Sequence, residues 1–299
     1  MTPFRPPSFL LHPTTRRLTL TIALAFPAGF LTRAAMSTAP PLSTQPFPAH
    51  SYTPRHSTFP YTSRDFIRSD ESSDTDFYSS PRFVTHIDDH AIGLLRTYYA
   101  ATLPRKGKIL DLCSSWISHF PPELEQAAAA AKNEKPSANE EGLKVVGLGM
   151  NAAELKANPI LHQSVLQDLN VDPIIPSSLV PLAATVCVVS IDYLTKPLEV
   201  LTSIRERTNT DGSIHLIISN RCFPTKAVGR WLRVSEQERL QMVGDYLHHS
   251  GWQDVEIVEL SDGRGSGPGL MGMLRGGVDP LWVVRGVKTS PSELGKSEL

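Results

Sequence analysis

Acidic, amide and cationic residues follow short apolar runs in this chain, a spacing that brings such groups to one edge of a sheet. Ile109, Leu110 and Leu112 surround Asp111, and the small residues Cys113, Ser114 and Ser115 follow. A buried parallel strand reads this way when it delivers a loop to the carboxyl edge of a sheet, where open α/β folds bind ligands. Asp168 and Leu169 follow a second such run, and Ser190, Asp192 and Tyr193 end a third. At that position Asp192 suits a general base for an N–H or O–H nucleophile, with Tyr193 shaping the pocket. The competing reading has Asp192 capping the next helix and Tyr193 packing on Pro197. Asn220, Arg221 and Lys226 follow a further run and suit an anionic carboxylate or phosphate group. Their alternative is a solvated loop with surface ion pairs. Asp111 and Asp168 have plainer readings too, as caps of their own turns. The cluster His86-Ile87-Asp88-Asp89-His90 has metal-ligand chemistry. Asp88 and Asp89 point to different faces of a helix, so a helix cap suits them better and no metal is assigned. His86 and His119 are read as pocket residues, in a lid or as acid–base groups.

The elements that must position these groups alternate. A helix is expected over Asp88–Thr102, then strand Lys108–Leu112 and helix Glu123–Lys132. Strand Leu143–Leu148 leads through Gly149 and Asn151 into a helix near Ala152. Short strand Ser164–Gln167 precedes the β-branched run Ala184–Ile191, helix Leu198–Thr208 and strand Ile214–Ile218. Helix Ser235–His249 and strands Val255–Leu260 and Leu281–Val287 close the series, with a glycine-rich loop Gly263–Gly277 between those strands. Alternation of this kind predicts a mainly parallel seven-stranded sheet with helices on both faces, a Rossmann-like α/β fold. The dinucleotide motif G-x-G-x-x-G is absent from the first turn, after Leu112, and no P-loop, H-E-x-x-H or G-x-S-x-G motif is present in the sequence.

Composition narrows the class. The net charge of −1 and the pI near 6.8 give no indication of a nucleic-acid partner. Three cysteines among 299 residues form no disulfide framework and fit a reducing compartment. The longest apolar stretch, Leu18–Leu31, is broken by Pro27 and is too short to span a membrane. Residues 1–64 hold several arginines, no acid, and many Ser, Thr and Pro. That composition predicts an organellar, mitochondrial-type targeting peptide, with a cytoplasmic location as the alternative. Residues 1–70 are expected to be disordered, residues 76–288 to form the domain, and 289–299 to be a disordered tail.

Long blocks add a resemblance. FYSSPRFVTHIDDHAI (Phe77–Ile92), ILDLCSSWISHFP (Ile109–Pro121) and VVGLGMNAAELKANP (Val145–Pro159) are three of them. VLQDLNVDP (Val165–Pro173), VVSIDYLTKPLEV (Val188–Val200) and ISNRCFPTKAVGRW (Ile218–Trp231) continue the series. Together they resemble an uncharacterised, S-adenosylmethionine-dependent class I methyltransferase-like family of plants, algae, fungi and bacteria. The resemblance implies a class I methyltransferase fold and S-adenosylmethionine as cofactor. It implies that Asp111, Ser114 and Ser115 lie at the methionine part, Asn151 at the ribose, and Asp168 with the Leu169 N–H at the adenine. Asp192 and Tyr193 then stand near the methyl acceptor. The resemblance brings no known substrate; the residue types Asn220, Arg221 and Lys226 suit a small anionic one, with His86 and His119 as further substrate-binding residues. Members of such families usually carry an acid at the end of the second strand, where this chain has Gly149. That departure keeps a second hypothesis open, a non-catalytic binding or scaffold protein on the same fold.

Overall fold

The computed structural model describes residues 46–133, 142–264 and 278–290. Its centre is a sheet of eight strands in the order β1-β7-β8-β6-β5-β2-β3-β4. The middle strands are β2 (Gly107–Leu112), β3 (Leu143–Gly149), β4 (Gln163–Leu166), β5 (Leu182–Val188) and β6 (Thr208–Ser219), all parallel. β7 (Gln253–Ser261) and β8 (Leu281–Val287) form an antiparallel pair, and β8 lies against β6. A parallel run whose order reverses between β2 and β5 and ends in this antiparallel pair is the class I methyltransferase topology. Ligand crevices in such sheets open where the order reverses, at the carboxyl ends of the strands.

Side-chain alternation along the strands feeds two cores, one on each face. Leu110 and Leu112 belong to one, with Leu216, Val200, Ile204 and Val243. Ile109 belongs to the other, with Val145, Val186, Leu95, Tyr98 and Leu124. The helices responsible are α5 (Pro197–Arg207) and α7 (Glu236–His249) on the first face. On the second face they are α2 (Asp89–Thr102) and α3 (Pro122–Asn133). Asp88 starts α2 by accepting the Ala91 N–H at 2.8 Å, and Ser235 caps α7 in the same way.

Three expectations change. The sheet has an eighth strand, β1 (Ala49–Ser51), antiparallel to β7. The ordered chain starts well before residue 76, because residues 46–75 pack onto the domain. Tyr52 and Tyr61 both donate hydrogen bonds to Asp245 of α7, and Phe59 and Phe66 ring Tyr246. Beyond the three residues of β1, aromatic side chains without strand or helix periodicity do much of the docking, which is why the segment read as disordered. Finally, β5 ends at Val188, and Ile191–Tyr193 is a tight 3-10 turn that points its residues away from strand geometry. Residues 1–45 of the expected targeting segment, residues 265–277 of the glycine-rich loop and residues 291–299 of the expected tail lie outside the described residues. Among the described residues no helix is long and apolar enough to cross a membrane.

Candidate functional site

A cavity of about 340 Å³ opens at the carboxyl ends of β2 to β6, within the size range of small-molecule sites. It brings together Asp111, Ser114, Ser115, Asn151, Asp168, Leu169, His86, His119, Tyr193 and Arg221 from the expected set. Asp192, Asn220 and Lys226 do not line it.

The turn after β2 forms its floor. The Ser114 N–H bonds the Leu148 carbonyl at 2.7 Å, so the turn lies across the end of β3. Cys113 takes φ +56° to do this, a conformation that usually calls for glycine. His119 (φ +55°) and Val189 (φ +42°) are also left-handed and also line the cavity. Strained backbone of this kind gathers at functional sites. Asp111 is 3% exposed and accepts both the Ser114 and Ser118 hydroxyls on Oδ2, at 2.6 and 2.7 Å. Burial pushes its carboxyl up to about 6, against the lowering effect of the two hydroxyls.

The end of β3 explains the missing acid. A Cβ on Gly149 would collide with the Ser114 carbonyl oxygen, so no side chain fits there. Asn151 does not take over that role, contrary to expectation. Its Oδ1 caps α4 (Ala152–Ala157) through the Ala153 and Glu154 N–H groups, and its Nδ2 holds the Tyr78 and Ser79 carbonyls. The amide has no capacity left. Glu154, on the first turn of α4, stands in the cavity instead. Its carboxylate accepts the Ser115 hydroxyl at 2.7 Å and the Arg82 N–H at 2.6 Å. A carboxylate has acceptor sites beyond those two bonds. Asp168 lines the cavity while its Oδ1 caps the Asn170 N–H at 2.9 Å.

Asp192 is 3% exposed, and its Oδ2 has no hydrogen-bond partner among the described residues. Burial pushes it up to about 7. The 3-10 turn carries it into the core rather than the cavity, which removes it as general base. Tyr193 does face the cavity, stacked on Phe223 with its hydroxyl accepting the Phe223 N–H at 2.8 Å. Lys226 is fully buried, 3.2 Å from both Asp70 and Asp74, with its ammonium on the Ser72 carbonyl at 2.7 Å. It is a structural cation. Asn220 is exposed beside Ser219 and outside the cavity. Arg221 reaches the cavity with its Nε on Asp279 at 2.7 Å. His119 is 6% exposed with its Nδ1 unpartnered among the described residues, and burial pushes its imidazole down to about 4. It is therefore neutral at pH 7. His86 stands edge-on to Phe223 and is likewise lowered by burial. Asp88 shares reciprocal bonds with Asp279, and no group of three or more metal-ligating side chains gathers among the described residues.

Sequence reasoning passed over the segment that roofs the site. Tyr78, Arg82 and Phe223 all line the cavity. The cue was present in FYSSPRF, where aromatic residues and an arginine crowd within seven positions of a turn.

The site and topology define a protein of the class I methyltransferase fold. No family model and no curated protein matches the chain. Similar solved structures are methyltransferases at low identity. One is phosphoethanolamine N-methyltransferase 2 of Haemonchus contortus in complex with S-adenosyl-L-methionine, 12% identical with a TM-score of 0.41. The match covers 68% of this chain and 53% of that one, so the chain spans about half of that protein's length. Another is a SAM-dependent methyltransferase from Archaeoglobus fulgidus, 14% identical over 66% of this chain and 94% of that one, TM-score 0.42. A TehB-like SAM-dependent methyltransferase from Corynebacterium glutamicum is 16% identical over 67% and 88%, TM-score 0.38.

Proposed function

We propose that this chain is an S-adenosylmethionine-dependent methyltransferase for a small anionic acceptor. The observation that carries the reading is one cavity, at the point where the strand order reverses, lined by Asp111, Glu154 and Asp168. The residues fit such a cofactor. Asp111 suits its ammonium group, Asp168 and the Leu169 backbone its adenine. Glu154 suits the ribose hydroxyls, since Gly149 has no room for an acid. The cofactor, when bound, supplies an activated methyl group. Tyr193 and Phe223 wall the acceptor side, and Arg221 contributes positive charge there. His119, neutral at pH 7, accepts a hydrogen bond from the acceptor's N–H or O–H. Placement of this kind is what the protein adds to cofactor chemistry.

Calorimetric titration of the full chain with S-adenosylmethionine and S-adenosylhomocysteine tests this. Binding that is lost in Asp168→Ala and weakened in Glu154→Gln supports the assignment. Folded protein that binds neither at millimolar concentration rejects it. A non-catalytic binding protein is favoured by two observations, the full commitment of Asn151 and the closure over Gly149. Tight binding of S-adenosylhomocysteine with no methyl transfer to any anionic acceptor would select that reading.

A further inference from the structure

We propose that Arg82 is a carboxylate receptor inside the cavity, with Arg221 as its second cation. The guanidinium lies 4.5 Å from the Phe77 ring centre, 5.3 Å from that of Phe223 and 5.7 Å from that of Tyr78. These rings fix its plane. Nη2 donates to the Phe77 carbonyl at 2.9 Å. Nη1 is shielded from water and has no hydrogen-bond partner among the described residues. A buried donor left unpaired costs free energy that an entering acceptor removes.

The neighbouring acids do not neutralise it. Asp74 is held by Arg68 and Lys226, Asp111 by two serine hydroxyls, and Asp279 by Arg221. Glu154 accepts the backbone N–H of Arg82, which anchors the residue without pairing its side chain. Arg82 thus stands as a cation without a carboxylate partner among the described residues, in an aromatic surround that strengthens any ion pair formed there. A guanidinium edge matches a carboxylate with two parallel hydrogen bonds. Arg221 lines the same cavity from the loop after β6, with a side chain 61% exposed beyond its bond to Asp279. The choice of ligand rests on the methyltransferase reading. The carboxylate belongs either to the amino-acid end of the cofactor or to the acceptor.

The test is calorimetry on the full chain, wild type and the variants Arg82→Gln and Arg82→Lys. The probes are S-adenosylhomocysteine, 5′-methylthioadenosine, which lacks the carboxylate, and benzoate added to nucleoside-saturated protein. Arg82→Gln should lose at least tenfold in affinity for one carboxylate probe, with Arg82→Lys intermediate and 5′-methylthioadenosine unchanged. Loss on S-adenosylhomocysteine assigns the site to the cofactor, and loss on benzoate assigns it to the acceptor. Equal binding of all three probes by Arg82→Gln overturns the proposal, and so does an equal loss on 5′-methylthioadenosine. Should the variants not fold, wild-type protein still decides. The carboxamide of S-adenosylhomocysteine, or benzamide in place of benzoate, must bind at least tenfold more weakly than its acid, and equal affinity for both pairs overturns the proposal. Wild-type protein that binds benzoate but no nucleoside rejects the cofactor while leaving Arg82 as a carboxylate site.

Discussion

Asp111 and Asp192 are both buried acids at strand ends, yet only one faces ligand space. Asp111 sits at the end of β2 with two serine hydroxyls on one oxygen. Asp192 sits one turn past β5 with an oxygen that bonds nothing described. For both, burial raises the folded-state carboxyl above its ordinary value near 3.8, to about 6 and about 7. A raised value means the folded state holds the proton more tightly than the unfolded chain. The stability contributed is therefore complete below pH 3.8 and is lost as pH rises through 6 and 7. Urea denaturation should show stability falling between about pH 4 and pH 7, with Asp192 contributing on the order of 4 kcal/mol of the fall. Asp192→Asn should flatten that slope. An unchanged slope in the variant would show that Asp192 is not the group titrating. Gly149 makes the opposite point about a missing acid. Gly149→Asp, which restores the residue such folds often carry, should destabilise the protein by about 2 kcal/mol or more and leave S-adenosylhomocysteine binding no tighter. The clash with the Ser114 carbonyl is the reason. Residue types at strand ends were readable in the sequence, because Asp111 and Asp168 follow apolar runs. Which acid faces the cavity depended on a single 3-10 turn at Ile191–Tyr193, and no residue pattern announces that turn.

Elements were more legible than their edges. The parallel strands and the amphipathic helices follow from apolar runs and helical spacing, and each forms close to where those patterns lie. The segment from Ile67 to Ile87 has no such pattern. It is held by ion pairs and backbone bonds, with Arg68 bridging to Val228 and the Gly229 N–H on the Ile67 carbonyl. Its fixed point is the short helix α1 (Asp74–Phe77). There the buried Asp74 accepts Arg68 at 2.8 Å, Asn170 at 2.8 Å and Lys226 at 3.2 Å. Burial alone would raise Asp74, but these donors outweigh it and hold the carboxyl below its usual range. Lys226 read as a substrate cation because a lysine after a strand has the same appearance whether its partner is a ligand or another loop. Removing one member of a buried ion cluster costs about 3–5 kcal/mol. Lys226→Met should lower stability by that order and expose residues 68–82 to limited proteolysis. A variant with wild-type stability and protection would return Lys226 to the binding site.

At the scale of the whole molecule, the topology places the cavity, and the chain ahead of α2 encloses it. A mainly parallel sheet was implied by alternation, since helical crossovers join parallel strands, and the order β4-β3-β2-β5-β6 is what the structure adds. The added strand β1 was not implied, because three residues with an exposed pattern carry no periodicity. Its segment matters energetically through large side chains. Tyr52 and Phe66 are each 9% exposed, and Gly244 of α7 lies so close to the Tyr52 ring that a Cβ there would collide with it. Asp245 is 2% exposed and takes both tyrosine hydroxyls, so removing the segment would leave a buried carboxylate without those donors. A form of the chain beginning at residue 67 should therefore melt more than about 10 °C below the full chain, with several kcal/mol of aromatic burial lost. Asp245→Asn in the full chain separates the charge from the packing. It removes the anion while keeping the rings in place, and should restore only a small part of the loss when introduced into the shortened form. Equal melting temperatures for the full and shortened chains would show that residues 46–66 lie on the domain without supporting it.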